Sequence, residues 1–119
     1  MSHGAFLRQH SSDPELASHI MHDYKNADLD PQLRGILDFT TKLTVDPGSM
    51  QQTDVQGLRE LGLSDEQVLS VVLITCDFNF MTRLADGLGV VFTDNAQRAV
   101  ERWLTGPAKD QKWMMKQKV

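Results

Sequence analysis

Apolar residues recur along this chain at three- and four-residue intervals, and polar punctuation cuts the pattern into helices. Asp13-Pro14-Glu15 sets a cap, a first-turn proline and an acid in order, and Leu16, Ile20 and Tyr24 follow at helical spacing. Asp30-Pro31 repeats that start signal. Leu33, Ile36, Leu37 and Leu43 come next, and Asp46-Pro47-Gly48 stops the helix. A short helix is predicted from near Thr53, with Val55, Leu58 and Leu61 on one side and Gly62 at its end. Ser64-Asp65-Glu66-Gln67 is a capping box, flanked by Leu63 and Val68 as a hydrophobic staple. The Val- and Ile-rich run up to Cys76 has the composition of a buried strand. The cap before it and the pattern beyond it decide for helix. Ile74, Phe78, Met81, Ala85 and Leu88 form one apolar stripe, while Thr75, Asn79, Thr82, Arg83 and Asp86 share another face. Gly87 and Gly89 end this helix, which is expected to form the centre of the core. A last helix is predicted from Thr93-Asp94, with Ala96, Ala99, Val100, Trp103 and Leu104 inward and Gly106-Pro107 closing it. No segment carries a hairpin signal. The expectation is an all-α domain of about five helices over residues 1–106, followed by a basic tail over 107–119.

Composition leaves that picture intact. The chain has 119 residues, 40% hydrophobic and 24% charged, an ordinary globular mix for one domain. The longest purely apolar run, Val71-Val72-Leu73-Ile74, falls far short of the ~18 residues of a membrane span. No basic segment followed by an apolar stretch marks the N-terminus as a signal peptide. The single cysteine, Cys76, allows no disulfide within the chain, and a cytoplasmic setting is expected. Charge is unevenly spread. Lys109, Lys112, Lys116 and Lys118 stand against Asp110 in the tail, net +3, which leaves −7 for the other 106 residues of a chain whose total is −4. An acidic body disfavours nucleic acid as a partner. The tail, with Trp113, Met114 and Met115, reads first as a packed or frayed terminus.

Few residues offer chemistry. His3, His10, His19 and His22 cluster near the start, and His19 and His22 lie three apart on one helix face. Without a ligating carboxylate pattern they read as exposed histidines, and no metal or other cofactor is expected. Cys76, in the most apolar stretch and beside Asp77, reads as a buried structural thiol, because an acid disfavours a thiolate. On the polar stripe, Arg83 and Asp86 are spaced to pair. A network that fixes packing or a subunit contact accounts for the stripe better than a pocket wall does, since no nucleophile shares that face. There is no Gly-rich phosphate loop, serine elbow, H-E-x-x-H or CxxC.

Two segments resemble a known family. Leu63-Ser64-Asp65-Glu66-Gln67-Val68-Leu69 running into Phe78-Asn79-Phe80-Met81-Thr82-Arg83-Leu84-Ala85-Asp86-Gly87-Leu88-Gly89 is similar to the C-terminal half of the peroxidase-related branch of the AhpD-like, carboxymuconolactone decarboxylase superfamily. So is Leu37-Asp38-Phe39-Thr40-Thr41-Lys42-Leu43-Thr44 with Pro47 and Met50. Thr82 departs from the pattern, which often has asparagine beside the arginine. A larger departure lies at the start. The family places a CxxC at the head of a helix, then a histidine, then a segment like His3-Gly4-Ala5-Phe6-Leu7-Arg8. Here that stretch begins at Met1, so the sequence reads as a member lacking its N-terminal portion.

The resemblance implies an AhpD-like helical fold, a homo-oligomer, and thiol-dependent reduction of an organic hydroperoxide with a dithiol reductant in antioxidant defence. In that chemistry a thiolate attacks the O–O bond and becomes a sulfenic acid, and a second cysteine condenses with it to a disulfide. A histidine and a glutamate relay protons. By motif position the chain keeps only His3 of this catalytic set, and without a paired thiol it is expected to be inactive. Two rivals remain: a non-catalytic helical interaction module, and the lactone decarboxylation of the superfamily's other branch. Neither nucleic acid nor membrane is an expected partner.

Overall fold

A computed structural model describes residues 7, 10–13, 15–91, 93–95 and 98. All regular elements among them are helical: α1 (Leu16–Asp23), α2 (Pro31–Val45), a single 3₁₀ turn (Pro47–Ser49), α3 (Gln52–Glu60) and α4 (Asp65–Gly87). The chain divides into two units. One is Leu29–Leu88 and holds α2, α3 and α4; the other is formed from 1–28 and 89–119 and holds α1. In the latter, the Asp13 carboxylate accepts the Glu15 N–H at 2.8 Å, so the start signal acts just ahead of α1. Of the expected last helix, Asp94, Asn95 and Arg98 are helical. Its remainder and the tail at 107–119 lie outside the described residues.

The caps of Leu29–Leu88 fall where the sequence puts them. Asp30 accepts the Leu33 N–H at 2.9 Å ahead of Pro31. Ser64 and Gln67 exchange bonds of 3.2 and 2.8 Å, the reciprocal box that opens α4. Gly62 turns the chain between α3 and α4. Its φ is +93°, its N–H bonds the Arg59 carbonyl and the Leu63 N–H bonds the Leu58 carbonyl, the paired closure that favours glycine at a helix end. Side chains close what remains: Gln32 donates to the Leu61 carbonyl at 2.9 Å, and Arg59 pairs with Asp65 at 2.7 Å across the turn. Lys42 on α2 pairs with Asp54 on α3 at 2.8 Å.

Phe39, Leu58, Leu63 and Val68 form the buried core, with Ile36, Leu43, Met50, Val55, Leu61, Val71 and Val72 packed around it. The expected core helix departs from expectation in its orientation. The face of α4 turned inward carries Val68 and Thr75, with Val71, Val72 and Asn79 half-buried beside them. The apolar stripe expected inside is exposed at Ile74 (59%), Met81 (54%) and Leu88 (74%). Cys76, expected to be buried, is exposed too.

The reason lies in how Thr75 and Asn79 are satisfied. Each bonds a carbonyl one turn back on its own helix, Thr75 to Val71 at 2.7 Å and Asn79 to Thr75 at 2.8 Å. Their burial therefore strands no polar group, and they can meet partners on α2. Among the described residues α4 is also the one helix long and apolar enough, by length and composition, to cross a membrane. Its apolar sequence is interrupted by Ser70, Thr75 and Asp77, so no uninterrupted run of that length exists in it.

Candidate functional site

Across Leu29–Leu88, threonines on α2 face the polar stripe of α4. Thr40 and Thr44 are one turn apart, as are Thr75 and Asn79, so the two pairs meet in register. The Thr40 and Thr75 hydroxyls lie 3.4 Å apart, and Asn79 Nδ2 donates to Thr44 Oγ1 at 3.0 Å. Arg83 continues the row. Its Nη1 donates to Asn79 Oδ1 and to the Asn79 carbonyl, and its Nη2 donates to the Thr44 carbonyl at 3.3 Å. Thr44 is in the last turn of α2, where carbonyls lack intrahelical partners and a cation complements the helix dipole. Arg83 is thus a side-chain cap on the end of α2. It reaches there rather than along its own helix to Asp86, where the sequence suggests a pair.

These residues line an open groove of about 680 Å³. Thr40, Thr44, Thr75, Asn79, Thr82, Arg83 and Asp86 line it together with the apolar Ile36, Val71, Ile74 and Phe78. Thr82 bonds the Phe78 carbonyl at 2.7 Å, as a threonine does on its own helix. The groove can bind and orient through hydrogen bonds, but no cysteine or histidine lines it. Cys76 is not among its walls.

Of the candidate residues, the structure brings Thr75, Asn79, Thr82, Arg83 and Asp86 to one groove, as their helical spacing requires. Their α2 partners, Thr40 and Thr44, stand thirty-five residues away in sequence from Thr75 and Asn79. The matching four-residue spacing of the two pairs is the signal that identifies them. His3 and the side chain of His22 lie outside the described residues, and His19 is exposed on α1. No group of three or more His, Cys, Asp or Glu side chains able to hold a metal is found among the described residues. Among the described residues, Asp54 is the carboxyl whose affinity for protons is clearly changed. The bond from Lys42 and the Gln51 N–H at 2.7 Å hold it below its ordinary value of 3.8.

Two of the solved structures similar to this chain are peroxidase-related proteins. One is an alkylhydroperoxidase AhpD core, an uncharacterized peroxidase-related protein from Ralstonia eutropha JMP134, with 32% identity over 78% of this chain and a TM-score of 0.68. The other is an uncharacterized peroxidase-related protein from Silicibacter sp. TM1040, with 30% identity over 80% of this chain and a TM-score of 0.71. The chain spans about half the length of each, 49% and 50%. No protein-family profile and no curated protein sequence matches it.

Proposed function

We propose that this chain, whose fold is the AhpD-like, peroxidase-related helical fold, belongs to the machinery of thiol-dependent hydroperoxide reduction and supplies its scaffold rather than its reacting thiols. The observation that carries this reading is the likeness to an alkylhydroperoxidase AhpD core at 32% identity. In the reaction, a thiolate displaces alkoxide from a hydroperoxide and keeps one oxygen as sulfenic acid. A second thiol then releases that oxygen as water and forms a disulfide, which an external dithiol reduces. The 119 residues contain one cysteine, so the two-thiol cycle cannot close within them. Cys76 is exposed and lies outside the groove. By the resemblance, His3 holds the motif position of a proton relay.

An assay of organic hydroperoxide reduction with a dithiol donor tests this. The chain alone should give background turnover. Fused behind a segment carrying the CxxC pattern, it should turn over, and changing His3 in that fusion should slow it. Turnover by the chain alone that survives Cys76→Ser would overturn the reading. The apolar outer face of α4 favours a second reading, a helical interaction module that associates without catalysing. It accounts for a chain that associates but stays inactive even in the fusion. A cytoplasmic location and the homo-oligomer belong to both readings.

A further inference from the structure

We infer that the groove between α2 and α4 binds a small monocarboxylate with an apolar tail, the carboxylate held by Arg83 and Thr44 and the tail laid along Ile74 and Ile36. This goes beyond the scaffold reading and needs no thiol chemistry, so the two stand or fall separately. Thr40 meets Thr75 and Thr44 meets Asn79, a constant offset of thirty-five residues, so α2 and α4 run parallel along the groove. The groove therefore has two unlike ends. Ile36, Val71 and Ile74 line the end nearer the helix starts, and Thr44, Asn79 and Arg83 line the other. Ile74 and Arg83 are nine residues apart on α4, ~13–14 Å along its axis, the reach of a medium-length aliphatic acid. A groove of about 680 Å³ with a few polar groups beside apolar ones has the size of a small-molecule site.

The hydrogen bonds at the polar end give the ligand its chemistry. Asn79 uses both amide hydrogens, on Thr44 Oγ1 and the Thr75 carbonyl, and its Oδ1 accepts from Arg83. Thr75 gives its hydrogen to the Val71 carbonyl, so Thr40 is the donor in the pair at 3.4 Å. Donors are left over on two residues. Thr44 Oγ1 accepts from Asn79, and its own hydrogen meets no acceptor among the described residues. Arg83 uses Nη1 on the two Asn79 oxygens and Nη2 on the Thr44 carbonyl, while its Nε–H and second Nη2 hydrogen meet none there.

All three acceptors of Arg83 are neutral, so none of them balances its charge. A guanidinium edge of Nε–H and Nη2–H is a fork that matches the two oxygens of a carboxylate. The bonds to Asn79 and Thr44 already hold that guanidinium, which lowers the ordering cost of binding. Asp86 lines the same groove three residues on. Its negative charge penalises a dianion more than a monoanion, so the groove favours a carboxylate over a phosphate.

Nuclear magnetic resonance titration of the isotope-labelled chain with octanoate tests the site. Saturable shifts are expected at the Arg83 Nε–H and at the Thr44, Ile74 and Phe78 amides, with a dissociation constant on the order of 1 mM. Octylammonium has the same tail and the opposite charge, and acetate has the same head and no tail. Each should bind at least ~10-fold more weakly. Inorganic phosphate should leave the Arg83 Nε–H unmoved. Arg83→Lys keeps a cation but lacks the fork, and should weaken octanoate ~10-fold with the amide dispersion retained. Ile74→Ser, at a position 59% exposed, should weaken it about threefold without loss of fold. Octanoate that moves none of these resonances at tens of millimolar overturns the inference. So does octylammonium or phosphate that binds as tightly as octanoate, or a folded Arg83→Lys chain with unchanged affinity. Should Arg83→Lys fail to fold, octylammonium and Ile74→Ser decide, and unchanged affinity in either overturns the inference.

Discussion

The two long faces of α4 reverse the usual distribution of residues. The inner face buries Thr75 at 5% exposure and half-buries Asn79, while the outer face leaves Leu69, Leu73 and Phe80 more than half exposed. What separates them is the availability of partners. Inside, α2 presents Thr40, Thr44 and the open carbonyls of its last turn, and polar side chains anchored on their own helix can meet them. Outside, no described element of Leu29–Leu88 presents a matching surface. A helix apolar on most sides is normally enclosed. Here one side is closed by the chain's own fold and the other is exposed, so the inner face is expected to govern stability far more than the outer one.

That division can be broken by substitution. The largest expected effect is from Leu58→Ala. Leu58 is 2% exposed and packs with Val68 of the inner face, and its truncation should cost ~2–5 kcal/mol in denaturant unfolding. Leu73→Ala on the outer face should stay within ~0.5 kcal/mol at concentrations where the chain is unassociated. Equal losses from the two would dissolve the distinction.

A smaller effect is expected at the polar row. Arg83→Met removes the donors to Asn79 and to the end of α2, at a cost of ~1–2 kcal/mol given the exposure of the site. An unchanged melting temperature would shift Arg83 from a structural role to a ligand role. Cys76→Ser should alter stability less than either, because the thiol is exposed.

The smallest effect is one of pH. Asp54 has its affinity for protons lowered in the folded state by Lys42 and the Gln51 N–H. Its contribution is therefore complete above its ordinary value of 3.8 and is lost as pH falls through the lowered one. The stability gap between the parent and Asp54→Asn should be constant near neutrality and close progressively below about pH 4. A gap that persists at the acid end of the titration would mean that Asp54 acts through packing.

Much of the fold is legible because it is written in local signals. Asp30-Pro31, Gly62 and the Ser64–Gln67 box each specify a boundary by chemistry within four residues, and each boundary stands where it is read. The polar row is equally legible along α4, since Thr75, Asn79 and Arg83 are separated by whole turns. The direction that α4 faces is not. Both its stripes could be enclosed by periodicity alone, and hydrophobicity points to the wrong one. The choice depends on Thr40 and Thr44, thirty-five residues away from their partners Thr75 and Asn79. The misplacement of Cys76 follows from the same cause. A thiol in an apolar run reads as buried unless it is known which side of the helix is covered.

The most direct test is the rate at which native Cys76 reacts with a thiol reagent as protein concentration is raised from nanomolar to tens of micromolar. Outward placement predicts fast labelling in the dilute, folded chain. Protection that persists at nanomolar concentration, with the helical signal intact, would place Cys76 inside the chain's own core and contradict the account.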